Sequence, residues 1–198
     1  IFQKTGYCLQ KEKRYFEATN AYQKADVLKP DHLWTLRHLA TCFRLIKDFD
    51  SALKYYQRVN AIQPDNHNIL FYIGSCLAEQ GNYEEALKYF FKLDYMENDC
   101  AKAWRGIGWC SFICGKYDQS IKYYDKIINA KPLTIDYLNA GHVAWRSGNI
   151  EYAATLYGKA ILECGSKDAF LEMFNRDRSS LVRQGIKEED IPLMLDMI

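Results

Sequence analysis

The sequence predicts an all-α solenoid: five stacked helix-turn-helix units over residues 1–165, closed by C-terminal capping helices over 166–198. Three observations predict it. Cys8, Cys42, Cys76 and Cys110 fall 34 residues apart each time, the mark of one small unit copied along the chain. An aromatic column, Tyr22, Tyr56, Phe90, Tyr124 and Tyr157, keeps the same register, with the fifth copy one residue early. Within a unit the apolar residues recur at three and four, as in Leu70, Ile73 and Leu77, which is helical spacing. Neither helix of such a unit can bury its face alone, so neighbours must stack.

The first unit, about 1–31, places Cys8 on its first helix and Tyr15, Ala18, Tyr22 and Ala25 on its second, ending at Pro30. The second, about 32–65, turns at Lys47-Asp48 and repeats the pattern as Phe49, Ala52, Tyr56 and Val59 before Pro64. The third, about 66–99, turns at Gly81-Asn82, where glycine takes the positive φ that ends a helix. Its second helix carries Tyr83, Ala86, Leu87, Phe90 and Leu93, and Asn98 stands where the others have proline. The fourth, about 100–132, turns at Gly115-Lys116 and continues through Tyr117, Ser120, Tyr124 and Ile127 to Pro132. The fifth, about 133–165, turns at Gly148-Asn149 and runs through Ile150, Ala153, Tyr157 and Ala160 to Gly165. Helix breakers thus cluster where one unit meets the next. The alanine column lets the two helices of a unit approach closely. The aromatic beside it fills the remaining gap.

Residues 166–198 leave the pattern. Phe170, Leu171, Phe174, Leu181 and Val182 form one apolar stripe on a helix opened by Ser166 or Asp168 and stopped near Gly185, which suits a cap on the last unit. A short helix through Ile191, Met194, Leu195 and Ile198 accommodates Pro192 in its first turn, with Asp190 as cap. At the other end Ile1 falls inside a first helix, so a preceding segment is expected.

With these columns in place, the chain resembles the tetratricopeptide repeat family, whose unit of 34 residues pairs small and aromatic residues at set offsets before a proline. Leu70, Ile73-Gly74, Leu77, Ala86 and Phe90 match its pattern, as do Trp104 and Ile107-Gly108. Thr5, Ser111, Ser120 and Asn98 depart from it. The resemblance implies a right-handed superhelical solenoid that binds other proteins.

Composition narrows the function. With 26 Lys and Arg against 25 Asp and Glu the net charge is +1, which gives no push toward nucleic acid or membrane, and no apolar run approaches membrane-spanning length. Seven thiols without a pairing framework, and no glycosylation sequon, point to a reducing, cytoplasmic compartment. The cysteine ladder reads as structural, because stacked helices about 8–10 Å apart hold equivalent thiols too far apart for a disulfide or a shared zinc. His32, His38, His67 and His142 lack metal-protease spacing, and no nucleophile elbow or phosphate-binding loop occurs. No catalytic residue, metal site or cofactor is expected.

The resemblance also implies which residues face the concave groove, since first helices line it. These are Lys4 and Tyr7, then Trp34, Arg37, His38 and Arg44, then Tyr72. They continue with Lys102, Arg105 and Trp109, and finally Asn139, His142, Trp145 and Arg146. A groove both basic and aromatic suits an extended, acidic peptide of another protein, with Arg forks on carboxylates and aromatic faces on apolar side chains. Single-stranded nucleic acid on the same face is the alternative, as is a regulatory module that self-associates through 186–198. The family's known clamp for acidic tails is not reproduced: Thr41 and Tyr72 stand where it has asparagine, and Gly106 where it has arginine.

Overall fold

The structure, a computed structural model, describes residues 1–97 and 99–198, so Asn98 of the proline column lies outside the described residues. Among the described residues there are twelve α-helices and no strand, in two compact units, Ile1–Asp99 and Cys100–Ile198.

The first unit contains α1 (Phe2–Lys11), α2 (Tyr15–Leu28), α3 (Leu33–Leu45), α4 (Phe49–Ile62), α5 (His67–Glu79) and α6 (Tyr83–Met96). They pack as the pairs α1/α2, α3/α4 and α5/α6, and each second helix also packs on the next first helix, α2 on α3 and α4 on α5. The second unit contains α7 (Ala101–Ile113), α8 (Tyr117–Ile128), α9 (Thr134–Arg146), α10 (Ile150–Cys164), α11 (Lys167–Arg183) and α12 (Asp190–Asp196). Here α7 pairs with α8 and α9 with α10, while α8 packs on α9 and α11 on both α9 and α10.

Within each pair the short connection holds one residue in the left-handed region: Lys13 (φ 61°), Lys47 (62°), Gly81 (81°), Gly115 (73°) and Gly148 (84°). Lys13 and Lys47 adopt there a conformation that glycine adopts without strain. Capping supports several starts, with Asp48 accepting from the Ser51 N–H at 3.1 Å and Asn66 from the Ile69 N–H at 3.2 Å.

The core of each pair rests on a close approach that the sequence columns only half describe. Ala18, Ala52, Ala86, Ser120 and Ala153 are fully buried, as expected. The aromatic column, however, packs against a glycine of the first helix: Tyr22 on Gly6, Phe90 on Gly74, Tyr124 on Gly108 and Tyr157 on Gly141, where a Cβ would lie 2.4–2.9 Å from the ring. In each of these four pairs one glycine is the contact surface for a ring, and any larger side chain would displace it.

The cysteine column divides. Cys42, Cys76 and Cys110 are buried, and burial pushes their thiols up to about 11, about 11 and about 12. These are inert at neutral pH. Cys8 is instead exposed, contrary to the structural role expected of the whole ladder. The preceding second helix that packs on α3 (α2) and on α5 (α4) has no counterpart on α1 among the described residues.

At the C-terminal end Ser166 caps α11 through the Ala169 N–H, and Phe170, Phe174 and Leu181 are fully buried. Gly185 (φ 93°) follows the helix. The residue preceding α12 is Glu189, one earlier than the expected Asp190, and Pro192 sits in the first turn. Ile186, Ile191 and Met194 are buried within the unit itself, so these side chains offer no surface to a second copy. No helix among the described residues is long and apolar enough to cross a membrane.

Candidate functional site

In the first unit α1, α2 and α3 bring Tyr7, Tyr22, Trp34 and His38 into one aromatic cluster. Trp34 and His38, one turn apart on α3, have ring centroids 4.1 Å apart, and the Tyr7 ring lies 6.0 Å from Trp34 and edge-on to His38 at 5.9 Å. Gln10 holds the imidazole in place, its Oε1 lying 2.8 Å from His38 Nδ1 and accepting from the Tyr22 hydroxyl at 2.9 Å. An amide oxygen can only accept, so Nδ1 carries the proton and Nε2 is left as the ring's acceptor. Burial, aided by the charges of Arg37 and Lys11, lowers the His38 pKa and keeps the ring neutral near pH 7.

Beside this cluster a cleft of about 400 Å³ opens between α3 and α5. Trp34, Arg37, His38 and Thr41 form one wall, Asn68, Ile69 and Tyr72 the other, and Tyr56 the floor. Tyr72 stacks on Tyr56 with centroids 5.2 Å apart, and the Arg44 guanidinium lies 4.9 Å from the Tyr72 centroid. No carboxylate lines the cleft.

The arginines of this unit are sorted by position. Arg58 of α4 is held bidentately by Asp26 and also by Asp31, Lys92 pairs with Asp65, and Arg14 with Glu12 and Glu17. Arg14, Arg58 and Lys92 are therefore neutralised. On α3, Arg37 is exposed and has no ion pair, and Arg44 has none either, with its Nε buried and without a hydrogen-bond partner. A buried donor of this kind is stabilised when an acceptor reaches it.

A second cleft, of about 360 Å³, lies on the other side of Trp34, between α1 and α3. Gln3, Lys4, Tyr7 and Cys8 line it from α1, with His32 and Trp34 opposite. Trp34 is thus a ridge shared by both clefts.

The second unit treats the equivalent positions differently. Arg105 is committed to Asp136 of α9, Nε donating to Oδ1 at 2.8 Å and Nη2 to Oδ2 at 2.7 Å, with the carboxylate fully buried. The same Oδ2 accepts from the Leu133 N–H at 2.7 Å, so one aspartate caps the start of α9 and anchors α7 to it. His142 and Trp145, expected at a groove, are buried. The His142 Nδ1 lies 2.8 Å from the Tyr157 hydroxyl, and its ring meets Phe174 of α11 edge-on at 5.4 Å. Trp145 stacks on Phe174 at 6.4 Å, and the Arg146 Nε donates to the Gln184 carbonyl while its guanidinium lies over Tyr117 at 4.9 Å. Gln184 in turn accepts from the Tyr117 hydroxyl at 3.0 Å and donates to the Ile113 carbonyl at 2.9 Å. The chain's own α11 therefore occupies the face that α9 was expected to present. Trp109 packs on Phe112 at 5.7 Å, Asn139 is half-buried and Lys102 is exposed.

The residues brought together as an open site are thus Tyr7, Trp34, Arg37, His38, Arg44 and Tyr72, with Lys4 at the second cleft. Thr41, Tyr56, Asn68 and Ile69 join them. Tyr56 belongs to the aromatic column and reads as core, and only its stacking on Tyr72 places it in the cleft floor. Among the described residues no group of three or more His, Cys, Asp or Glu side chains converges as a metal site would require.

Two family models described as Tetratricopeptide repeat match residues 43–110 and 101–132. The crystal structure of MamA protein is similar with a TM-score of 0.74 at 20% identity, covering 82% of this chain and 90% of that one. A tetratricopeptide repeat protein from Parabacteroides merdae gives 0.71 at 18% identity, covering 99% and 82%. YrrB, described as a TPR protein with an unusual peptide-binding site, gives 0.72 at 17% identity, covering 87% and 89%. At these identities the likeness is one of fold. No curated protein matches the chain.

Proposed function

Because the chain belongs to the tetratricopeptide repeat family, we propose that it is an interaction scaffold holding an extended, acidic segment of another protein in the cleft between α3 and α5. One observation carries this reading. The cleft holds the exposed Arg37 and lies beside Arg44, two guanidinium groups without carboxylate partners, in a unit whose other arginines are paired with acids. An Arg fork forms two parallel hydrogen bonds to a carboxylate, and the Trp34 and Tyr72 rings give an extended backbone apolar faces to lie on. Neutral His38 adds an acceptor for a ligand N–H, and Asn68 a donor and an acceptor.

The test uses two acetylated, amidated decapeptides carrying fluorescein, one alternating Glu with Ala and one alternating Gln with Ala. The Glu peptide binds and the Gln peptide does not, and affinity falls as salt rises. Arg37→Glu weakens binding about tenfold to a hundredfold, the equivalent of one charge-assisted hydrogen bond of about 1.5–3 kcal/mol, with unchanged helical content. Equal binding of the two peptides defeats the reading. Tighter binding of a labelled oligothymidine than of the Glu peptide assigns the face to single-stranded nucleic acid instead.

A further inference from the structure

In the second unit the packing columns leave a hole that they fill in the first. At two buried positions of the first helices α3 has Leu39 and Phe43 and α5 has Ile73 and Leu77, whereas α9 has Ala140 and Ala144. Each alanine is three or more carbons shorter than its counterparts. What they leave open is a cleft of about 160 Å³ between the second helices α8 and α10. Ala140, Ala144 and Val143, the last in the cysteine column, form its floor. Ile121 and Tyr124 of α8 stand on one side and Tyr152 of α10 on the other. Pockets for small molecules run to about 300–1,000 Å³, so this hole has the size of a single side chain.

Its rim carries charge of one sign. Asp125 of α8 lines the cleft, is exposed and, among the described residues, has no ion pair. Gln23, Gln57 and Phe91 hold the equivalent position on α2, α4 and α6, so this acid belongs to α8 alone among them. Burial, and then the nearby Asp125 charge, raise the pKa of the Tyr152 hydroxyl. Asp118, seven residues before Asp125 and so on the same face of α8, is also exposed and without an ion pair among the described residues. The Asn149 side-chain oxygen is taken by the Tyr152 N–H at 3.3 Å. No lysine or arginine lines the cleft.

We propose that the cleft between α8 and α10 is a docking site for a basic amphipathic helix of a partner protein, which inserts one aliphatic side chain over Ala140 and Ala144 and sets a lysine or arginine on Asp125. Charge complementarity selects the occupant, since an apolar hole beside an unpaired carboxylate fits an aliphatic residue next to a basic one. Helix geometry supplies the register. Asp118 and Asp125 are about 10.5 Å apart along α8 at 1.5 Å per residue, and positions i and i+7 of a helix laid along it have the same spacing. An aliphatic residue at i+4 shares their face. The ligand pattern is therefore Lys-x-x-x-Leu-x-x-Lys. This surface is separate from the α3/α5 cleft and calls for a ligand of opposite charge.

The test titrates the full chain, with carbon-13 in its Ile, Leu and Val methyl groups, against an acetylated, amidated, alanine-based helical peptide of that pattern. Affinity is read from the fluorescence anisotropy of a fluorescein-labelled copy. Control peptides replace Leu by Ala, or both Lys by Glu. The Ile121 and Val143 methyl signals should shift while that of Ile69, in the α3/α5 cleft, stays in place, and each peptide change should weaken binding about tenfold. Asp125→Lys, at an exposed position, should weaken the Lys peptide about tenfold. Ala144→Leu installs the residue that α5 carries as Leu77, and should erase the preference for Leu over Ala. Should that variant fail to fold, Asp125→Lys and the methyl shifts still decide. The proposal is refuted if the Lys peptide does not bind, if Leu and Ala peptides or Lys and Glu peptides bind alike, or if Ile69 responds in place of Ile121. A dimer seen by sedimentation of the chain alone and dispersed by Asp125→Lys would give the cleft to a second copy and overturn the partner helix. None of these outcomes bears on the acidic-segment reading, which the Glu and Gln decapeptides test separately.

Discussion

Gly141→Ala sets two opposed effects against each other, and the structure says which wins. Alanine in a helix interior is favoured over glycine by about 1 kcal/mol. Against this, the new Cβ would lie 2.4 Å from Tyr157 Cε1 and 2.6 Å from Cδ1, where ordinary contact begins at 3.4 Å, so ring or helix must move by about 1 Å. Tyr157 has nowhere to go. It is fully buried, its hydroxyl lies 2.8 Å from His142 Nδ1, and Phe170 and Phe174 meet its ring at 5.6 and 5.7 Å. Overpacking a site of this kind costs about 1–3 kcal/mol, so the net effect is a loss of up to about 2 kcal/mol. Gly108→Ala, whose Cβ would meet Tyr124 at 2.9 Å, should fall within about 0.5 kcal/mol of neutral, since the required shift is half as large. The chain contains its own control, because Ala40 occupies this column in the second repeat and is fully buried there. Urea denaturation followed by circular dichroism and by tryptophan fluorescence measures the series. A rise in the midpoint for Gly141→Ala would mean that helix propensity alone governs the position, and the close-approach account would be wrong.

Three further outcomes are expected. Asp136→Ala removes both the acceptor of the Arg105 fork and that of the Leu133 N–H, and should cost about 3 kcal/mol in urea melts; a loss below about 1 kcal/mol would show the pair to be dispensable. Charge reversal at Arg105 accordingly reports on folding, whereas Arg37→Glu reports on binding. Lys47→Gly should stabilise by about 0.5–1 kcal/mol by relieving its left-handed φ, and Gly81→Ala, with open space around it, should cost a similar amount from the backbone alone; thermal melts of the two variants should shift in opposite directions. His142 has its pKa lowered by burial from the ordinary 6.5, so below that pH the unfolded chain binds a proton that the folded chain resists. Stability is thus intact above about pH 6.5 and declines as pH falls toward the depressed folded value, by up to about 1.4 kcal/mol per pH unit; His142→Gln should flatten that limb of the curve.

The repeat architecture was legible because each unit solves the same packing problem with the same residues. Cys42, Cys76 and Cys110 share a column and a buried environment, and Gly81, Gly115 and Gly148 share a turn. Legibility stopped where a residue's surroundings are set by something other than its own repeat. Cys8 carries the column's residue, but among the described residues no preceding second helix packs on α1 as α2 packs on α3 and α4 on α5. Arg105 and Arg37 occupy equivalent positions, yet only Arg105 has an aspartate aligned with it, 31 residues away and fixed to the start of α9. His142 and Trp145 match the groove pattern of earlier units, but Phe174 of α11 covers them, and that helix belongs to no repeat. Period reports the copied environment. It does not report the neighbour that ends the copying.

That terminal neighbour separates two quantities that repetition alone would couple. Adding a repeat adds one more first helix, and each would be supposed to add one more position at which a ligand is read. By laying Phe174 and Gln184 on His142, Trp145 and Arg146, α11 consumes the position contributed by α9. The number of first helices in the array and the number left uncovered are therefore set by different parts of the chain.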